Sequence, residues 1–182
     1  MSKEIYLPRV LHGTDGKEFN ESELLSFKNK VIIVLAEPGA GKSCLLDSLS
    51  EQLGIRKSVA NIFIHSNPQQ CSSLAIDGFD ELVKIDPSTV TQALMMASNT
   101  LAKRIILSSR SSEWSESYTL QCRNIFSEDP LLVYLKRFDE QEQKILFLHY
   151  YPEQNVEKFL EDATNIELAS LLSLSLIHIS EP

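Results

Sequence analysis

Cysteine is sparse in this chain, and the few present do not pair: Cys44, Cys71 and Cys122 are odd in number and sit at no metal-ligand spacing. The four histidines, His12, His65, His149 and His178, cluster neither with the cysteines nor with one another. Both facts argue against a disulfide framework and against a zinc site. Basic charge is also short. With 17 Lys and Arg against 25 Asp and Glu, the formal charge is -8, the opposite of the broad basic surface that nucleic-acid binding uses. No apolar run approaches a membrane span, and the opening MSKEIYLPRV lacks the apolar core of a signal peptide. A cytoplasmic protein with no membrane partner, and with nucleic acid not among its first partners, is the expectation. Internal repeats and low-complexity tracts are missing as well. What remains is 182 residues, 43% of them hydrophobic, enough to bury one core of ordinary size.

From residue 30 onward the hydrophobic pattern alternates between strand and helix. VIIVLA (31–36) is a continuous apolar, β-branched run, the pattern of a strand covered on both faces. Behind it Leu46, Leu49 and Leu53 recur on one face of a helix. ANIFIH (60–65) and SLAI (73–76) read as the next strands. Only the SNPQQCS stretch separates them, shorter than the dozen or so residues of a parallel crossover, which argues against their being parallel neighbours. A helix over 87–103 follows, with Asp86 as N-cap, Pro87 in the first turn and Val90, Leu94, Ala97 and Leu101 as its apolar stripe. RIILSS (104–109) and LLVYL (131–135) are further strands, and Asp139 to Glu142 forms a capping-box analogue opening a helix over 140–150, with another over 153–173. Trp114 is expected to pack on a helix, and Met95 and Met96 to lie in or near the core. The alternation predicts an α/β fold, a three-layer α/β/α sandwich with a mostly parallel sheet.

Three stretches carry candidate chemistry. In AEPGAGKS (36–43), Gly39, Ala40 and Gly41 let backbone N–H groups converge on phosphate oxygens, where a bulky side chain would block the approach. Lys42 supplies a charge for the β and γ phosphates, and Ser43 a hydroxyl for Mg²⁺. The candidate nucleotide-binding residues are Pro38, Gly39, Ala40, Gly41, Lys42, Ser43 and Cys44, although Cys44 also reads as a small buried helix residue. In SLAIDGFDEL, Asp77 ends an apolar strand expected to neighbour 31–36, where a water-bridged Mg²⁺ partner of Ser43 belongs, and Asp80 and Glu81 are candidates to orient or deprotonate the attacking water. In RIILSSRSSEW, Arg110 ends a strand, either to sense a γ-phosphate or to pair with a nearby carboxylate.

Taken in order, AEPGAGKS, AIDGFDEL and IILSSR resemble the NACHT branch of the STAND P-loop NTPases, bacterial members especially, over roughly residues 28–150. The DGFDE form of the second stretch contributes most to the resemblance. It implies ATP (or GTP) as ligand with Mg²⁺, slow hydrolysis coupled to a conformational switch, homo-oligomerisation in the full-length protein, and a signalling role such as bacterial anti-phage defence. An AAA+-like ATPase and a non-hydrolysing nucleotide-binding scaffold are the alternatives. The stretch between Ser43 and Asp77 is short for that family, a departure from its pattern. Residues 1–27 would be a lead-in segment, 28–150 the NTPase core and 151–173 the start of a truncated helical region. LSLIHISEP (174–182) resembles a translated sequencing adapter, so it is expected to be a non-native tail on an N-terminal fragment.

Overall fold

The computed structural model describes residues 5–165. The strands in chain order are β1 (Val10–Gly13), β2 (Glu18–Asn20), β3 (Val31–Ala36), β4 (Arg56–Val59), β5 (Ser73–Asp77), β6 (Arg104–Arg110) and β7 (Leu131–Leu135). The helices are α1 (Lys42–Leu53), α2 (Ala60–Phe63), α3 (Phe79–Ile85), α4 (Pro87–Asn99), α5 (Glu116–Phe126), α6 (Glu140–Tyr150) and α7 (Val156–Asn165). One sheet runs in the order β2-β1-β7-β3-β6-β5-β4. Its five strands from β7 to β4 are parallel, and β1 and β2 extend it antiparallel beside β7. Residues 10–20 therefore belong to the same sheet as the strands after residue 30.

The all-apolar β3 is explained by its place at the centre. Val31, Ile33 and Leu35 face a layer built from α3, α4 and α5, among Leu82, Leu94 and Cys122. Ile32, Val34 and Ala36 face the opposite layer, among Leu45, Leu46 and Leu49 of α1. Alternate residues of a strand point to opposite faces, so a strand between two helical layers has no polar side to show. The expected three-layer sandwich is the fold observed.

Several expectations need correction. The strand expected over 60–65 is instead β4, over Arg56–Val59, and Ala60 and Phe63 lie on α2 with both side chains buried in the core. β4 is an edge strand with no fully buried residue, so it shows none of the hydrophobic signal of an interior strand. Residues 60–72 then separate β4 from β5, which meets the length a parallel crossover needs, and the two strands do pair in parallel. The helix expected over 87–103 ends at Asn99: Thr100 Oγ1 donates to the Ala97 carbonyl and accepts from the Ala102 amide, and Leu101 turns outward at φ +58, 66% exposed. The stripe of α1 is Leu45, Leu46 and Leu49, whereas Leu53 lies exposed in the last turn before the left-handed Gly54. Met95 and Cys44 are exposed, because Val90, Ala93, Leu94 and Ala97 already fill the inner face of α4 and Cys44 lies outside the inner face of α1.

β3, β7, α6 and the Asp139–Glu142 capping box match the reading residue for residue. β5 and β6 each run one residue further than expected. The helix expected from 153 begins at Val156, and its part beyond 165, like the tail at 174–182, lies outside the described residues. No helix among the described residues is long and apolar enough to cross a membrane.

Candidate functional site

The chain leaves β3 and must reverse onto α1 within five residues, 37–41. Gly39 at φ +77 and Gly41 at φ +89 supply the left-handed backbone that this reversal requires and that a side chain would disfavour. Between them Ala40 is buried, and its amide donates to the Glu37 carbonyl at 3.2 Å. α1 starts at Lys42, so its N-terminal end opens onto the carboxyl end of the sheet. Pro38, Ser43 and Cys44 are exposed there. The Lys42 ammonium lies 3.4 Å from the Glu37 carbonyl oxygen, and burial holds its pKa below the ordinary lysine value, opposed by the charges of Asp80 and Asp77. Glu37 is itself paired with Arg137, beyond β7.

Asp77 does not stand on the strand next to β3. β6 lies between them, so the turn after β3, the end of β6 and the end of β5 form a row. Asp77 is buried, and one of its carboxylate oxygens accepts from the Ser108 hydroxyl. Ser108 Oγ accepts in turn from the Gly78 amide at 3.0 Å, which fixes the carboxylate against the neighbouring strand. Gly78, at φ +79, is the left-handed N-cap of α3, and a Cβ there would meet Glu81 Cδ at 3.4 Å. Asp80 is buried and paired: its Oδ2 lies 2.8 Å from Arg110 Nε, and its Oδ1 accepts from the Arg110 amide at 3.3 Å. Glu81 is exposed and accepts from Asn61 Nδ2 at 2.8 Å, while Asn61 Oδ1 is buried with no partner among the described residues.

All the candidate residues therefore meet at one end of the sheet. For Arg110, the structure takes the carboxylate-pairing alternative. Two further residues belong to the cluster. Ser108 orients Asp77, and Lys57 of β4 stands 3.7 Å from Asp77 Oδ2. Placing β4 by the length of its crossover would have brought Lys57 to the sheet end; the hydrophobic pattern points four residues downstream. A separate cavity of about 410 Å³, lined by Gly13, Asp15, Phe19, Phe27 and Leu131, opens at the other end of β3, away from these groups. Ligands of open α/β sheets bind beyond the carboxyl ends of the strands, so the two ends are not equivalent.

The donor set suits a hard cation held jointly with phosphates: a hydroxyl at Ser43 and a carboxylate at Asp77 are oxygen ligands of the kind Mg²⁺ takes. Among the described residues no group of three or more His, Cys, Asp or Glu side chains could hold a metal alone. Mg²⁺ in such sites takes one or two protein oxygens and completes its shell from phosphate and water, so a sparse protein set fits it.

No protein-family model matches the chain, and no curated protein matches it in sequence. Solved structures do. AMPPCP-bound DnaA from Aquifex aeolicus is similar at TM-score 0.54 and 18% identity, over 82% of this chain and 56% of that one. A structure describing katanin self-assembly is similar at TM-score 0.50 and 14% identity, over 83% of this chain and 60% of that one. The likeness is one of fold: a mostly parallel sheet between helical layers is what this chain shares with both structures. This chain spans less than two thirds of the length of either structure.

Proposed function

We propose that this protein binds ATP (or GTP) with Mg²⁺ at residues 36–43 and hydrolyses it slowly, as the core of a signal-transducing NTPase of the NACHT and STAND kind. The observation that carries this reading is one juxtaposition. A left-handed turn through Gly39 and Gly41, a partly buried lysine and two buried aspartates share one end of the sheet. Phosphoryl transfer is catalysed mostly by positioning and charge neutralisation, and these groups supply both. Backbone amides of the turn donate to phosphate oxygens, and Lys42 neutralises the β and γ phosphates. Ser43 directly and Asp77 through water would hold Mg²⁺, which when bound offsets phosphate charge. Glu81, exposed beside Gly78, orients the attacking water. The Arg110–Asp80 pair gives a γ-phosphate something to exchange: Arg110 leaves Asp80 for phosphate, and the freed carboxylate turns to water. Such an exchange biases one of two arrangements of the flanking parts.

The AMPPCP carried by the DnaA structure supports an adenine nucleotide, and the self-assembly described for katanin supports homo-oligomerisation of the full-length protein. The DGFDE stretch supports the NACHT assignment and, with it, a role such as bacterial anti-phage defence over an AAA+-like ATPase. A non-hydrolysing nucleotide-binding scaffold is the second reading, favoured by Asp80 being occupied by Arg110.

Binding of fluorescent ATP and GTP analogues with Mg²⁺, wild type beside Lys42→Ala, is the test. Saturable binding by the wild type and at least a tenfold loss in Lys42→Ala are expected, since the lost contact is charge-assisted. Equal affinity in both proteins overturns the phosphate site. Phosphate release on the same samples, with the Asp80→Ala/Glu81→Ala double variant alongside, separates the two readings: release that persists unchanged in the double variant removes the carboxylates from the reaction.

A further inference from the structure

Lys57 lies on the edge strand β4, yet its side chain reaches over the end of β5 to the first turn of α1. Its Nζ donates to Asp47 Oδ1 at 2.6 Å and to the Ser43 backbone carbonyl at 3.2 Å, and stands 3.7 Å from Asp77 Oδ2. The ammonium thus touches both residues to which the proposed function assigns the divalent cation. Ser108 occupies the other carboxylate oxygen of Asp77, so the one facing Lys57 is the one left for an outside cation. The Lys57 side chain is 18% exposed and that of Asp47 60%, so the pair runs from a covered position at Asp77 outward to solvent.

We propose that Lys57 is a built-in counter-ion of the cation site. In the nucleotide-free protein its ammonium neutralises Asp77. When a divalent cation arrives with the nucleotide, the two positive charges repel, and Asp47, one turn further along α1, holds the ammonium as it withdraws. Lys57 is then a positioning residue that sets how strongly nucleotide binding depends on Mg²⁺. The inference rests on the reading of Ser43 and Asp77 as the cation residues.

Its signature is a pair of effects opposite in sign. Without Lys57, Asp77 faces the triphosphate uncompensated, so affinity in the absence of divalent cation falls. With Lys57 gone, Mg²⁺ has no competitor at Asp77, so the Mg²⁺ concentration at half-maximal binding also falls. A lysine that merely supports the fold would weaken both.

The experiment measures binding of a fluorescent ATP analogue to the full chain in EDTA and across a Mg²⁺ series, for wild type, Lys57→Met, Asp47→Ala and Lys42→Ala. For Lys57→Met, affinity in EDTA is expected to drop roughly three- to tenfold and the Mg²⁺ midpoint to drop by a similar factor, a size set by a partly covered ion pair. For Asp47→Ala, which removes the anchor from an exposed position, the midpoint is expected to rise. If Lys57→Met does not fold, the Asp47→Ala midpoint decides alone. Losses of the same sign in Lys57→Met, or a midpoint that moves in neither variant, overturn the inference and leave the phosphate site standing. Equal binding by wild type and Lys42→Ala overturns both.

Discussion

At the scale of single residues, the site depends on protonation states that burial has shifted. Lys42 loses its proton more readily than an ordinary lysine, because desolvation disfavours the ammonium and the charges of Asp80 and Asp77 restore only part of it. A phosphate ligand needs the charged form. Nucleotide affinity should therefore be flat near neutrality and fall as pH rises through the lowered pKa of Lys42, at a pH below the ordinary lysine value of 10.5. Affinity measured against pH checks this, with Lys42→Arg expected to stay flat over the same range because a guanidinium does not titrate there. Cys122 shows the same physics in a group with no part in the site: burial in the core raises its pKa to about 12 and keeps it a thiol. At this scale sequence reading picked out the loop residues and the acidic trio that the structure gathers at one end of the sheet, because a glycine turn between strand and helix is a local object. It missed Lys57, whose contacts with Ser43, Asp47 and Asp77 all lie on other elements.

At the scale of elements, capping and edge position decide what a pattern can reveal. Asp86 accepts from the Ser88 amide at 2.8 Å and caps α4, and that bond lowers its pKa. A carboxylate whose folded pKa is depressed contributes stability above its unfolded value of 3.8, and the contribution is lost as pH falls through the lower folded value. Asp86→Ala should lower the urea midpoint at neutral pH, and the gap from wild type should close as acid protonates Asp86. A gap that stays constant down to the acid limit would place the stabilisation elsewhere. Helix caps are legible because donor and acceptor lie within three residues of each other. β4 is the counter-case: an edge strand reads as polar, and the apolar residues just after it belong to α2, so periodicity alone placed the strand too late.

At the scale of the whole molecule, the segment before β3 is tied into the core by one buried acid. Glu21 accepts from the Tyr6 hydroxyl, from the Arg9 amide at 2.7 Å and from Ser48 Oγ of α1 at 3.1 Å. Burial and the bond to Glu21 push the Tyr6 phenol upward. Arg9 is buried as well, its guanidinium 3.8 Å from the centre of the Phe138 ring and bonded to the Lys136 carbonyl at 2.6 Å. Glu21→Ala would strand two buried donors and is expected to cost about 3 kcal/mol, read as a lower urea midpoint at unchanged slope. A loss under about 0.5 kcal/mol would mean that water replaces the carboxylate and that the segment is only loosely attached. Sequence by itself determined the glycine turn between β3 and α1, the alternation of strand and helix after residue 30, and the acidic motif, because each is set by contacts within a few residues. Tertiary structure alone decided that β6 separates β3 from β5, that β1 and β2 extend the sheet beside β7, that Arg110 pairs with Asp80, and that Lys57 reaches Asp77. Those are contacts between residues far apart in the chain, chosen by which faces bury together, and no local period encodes them.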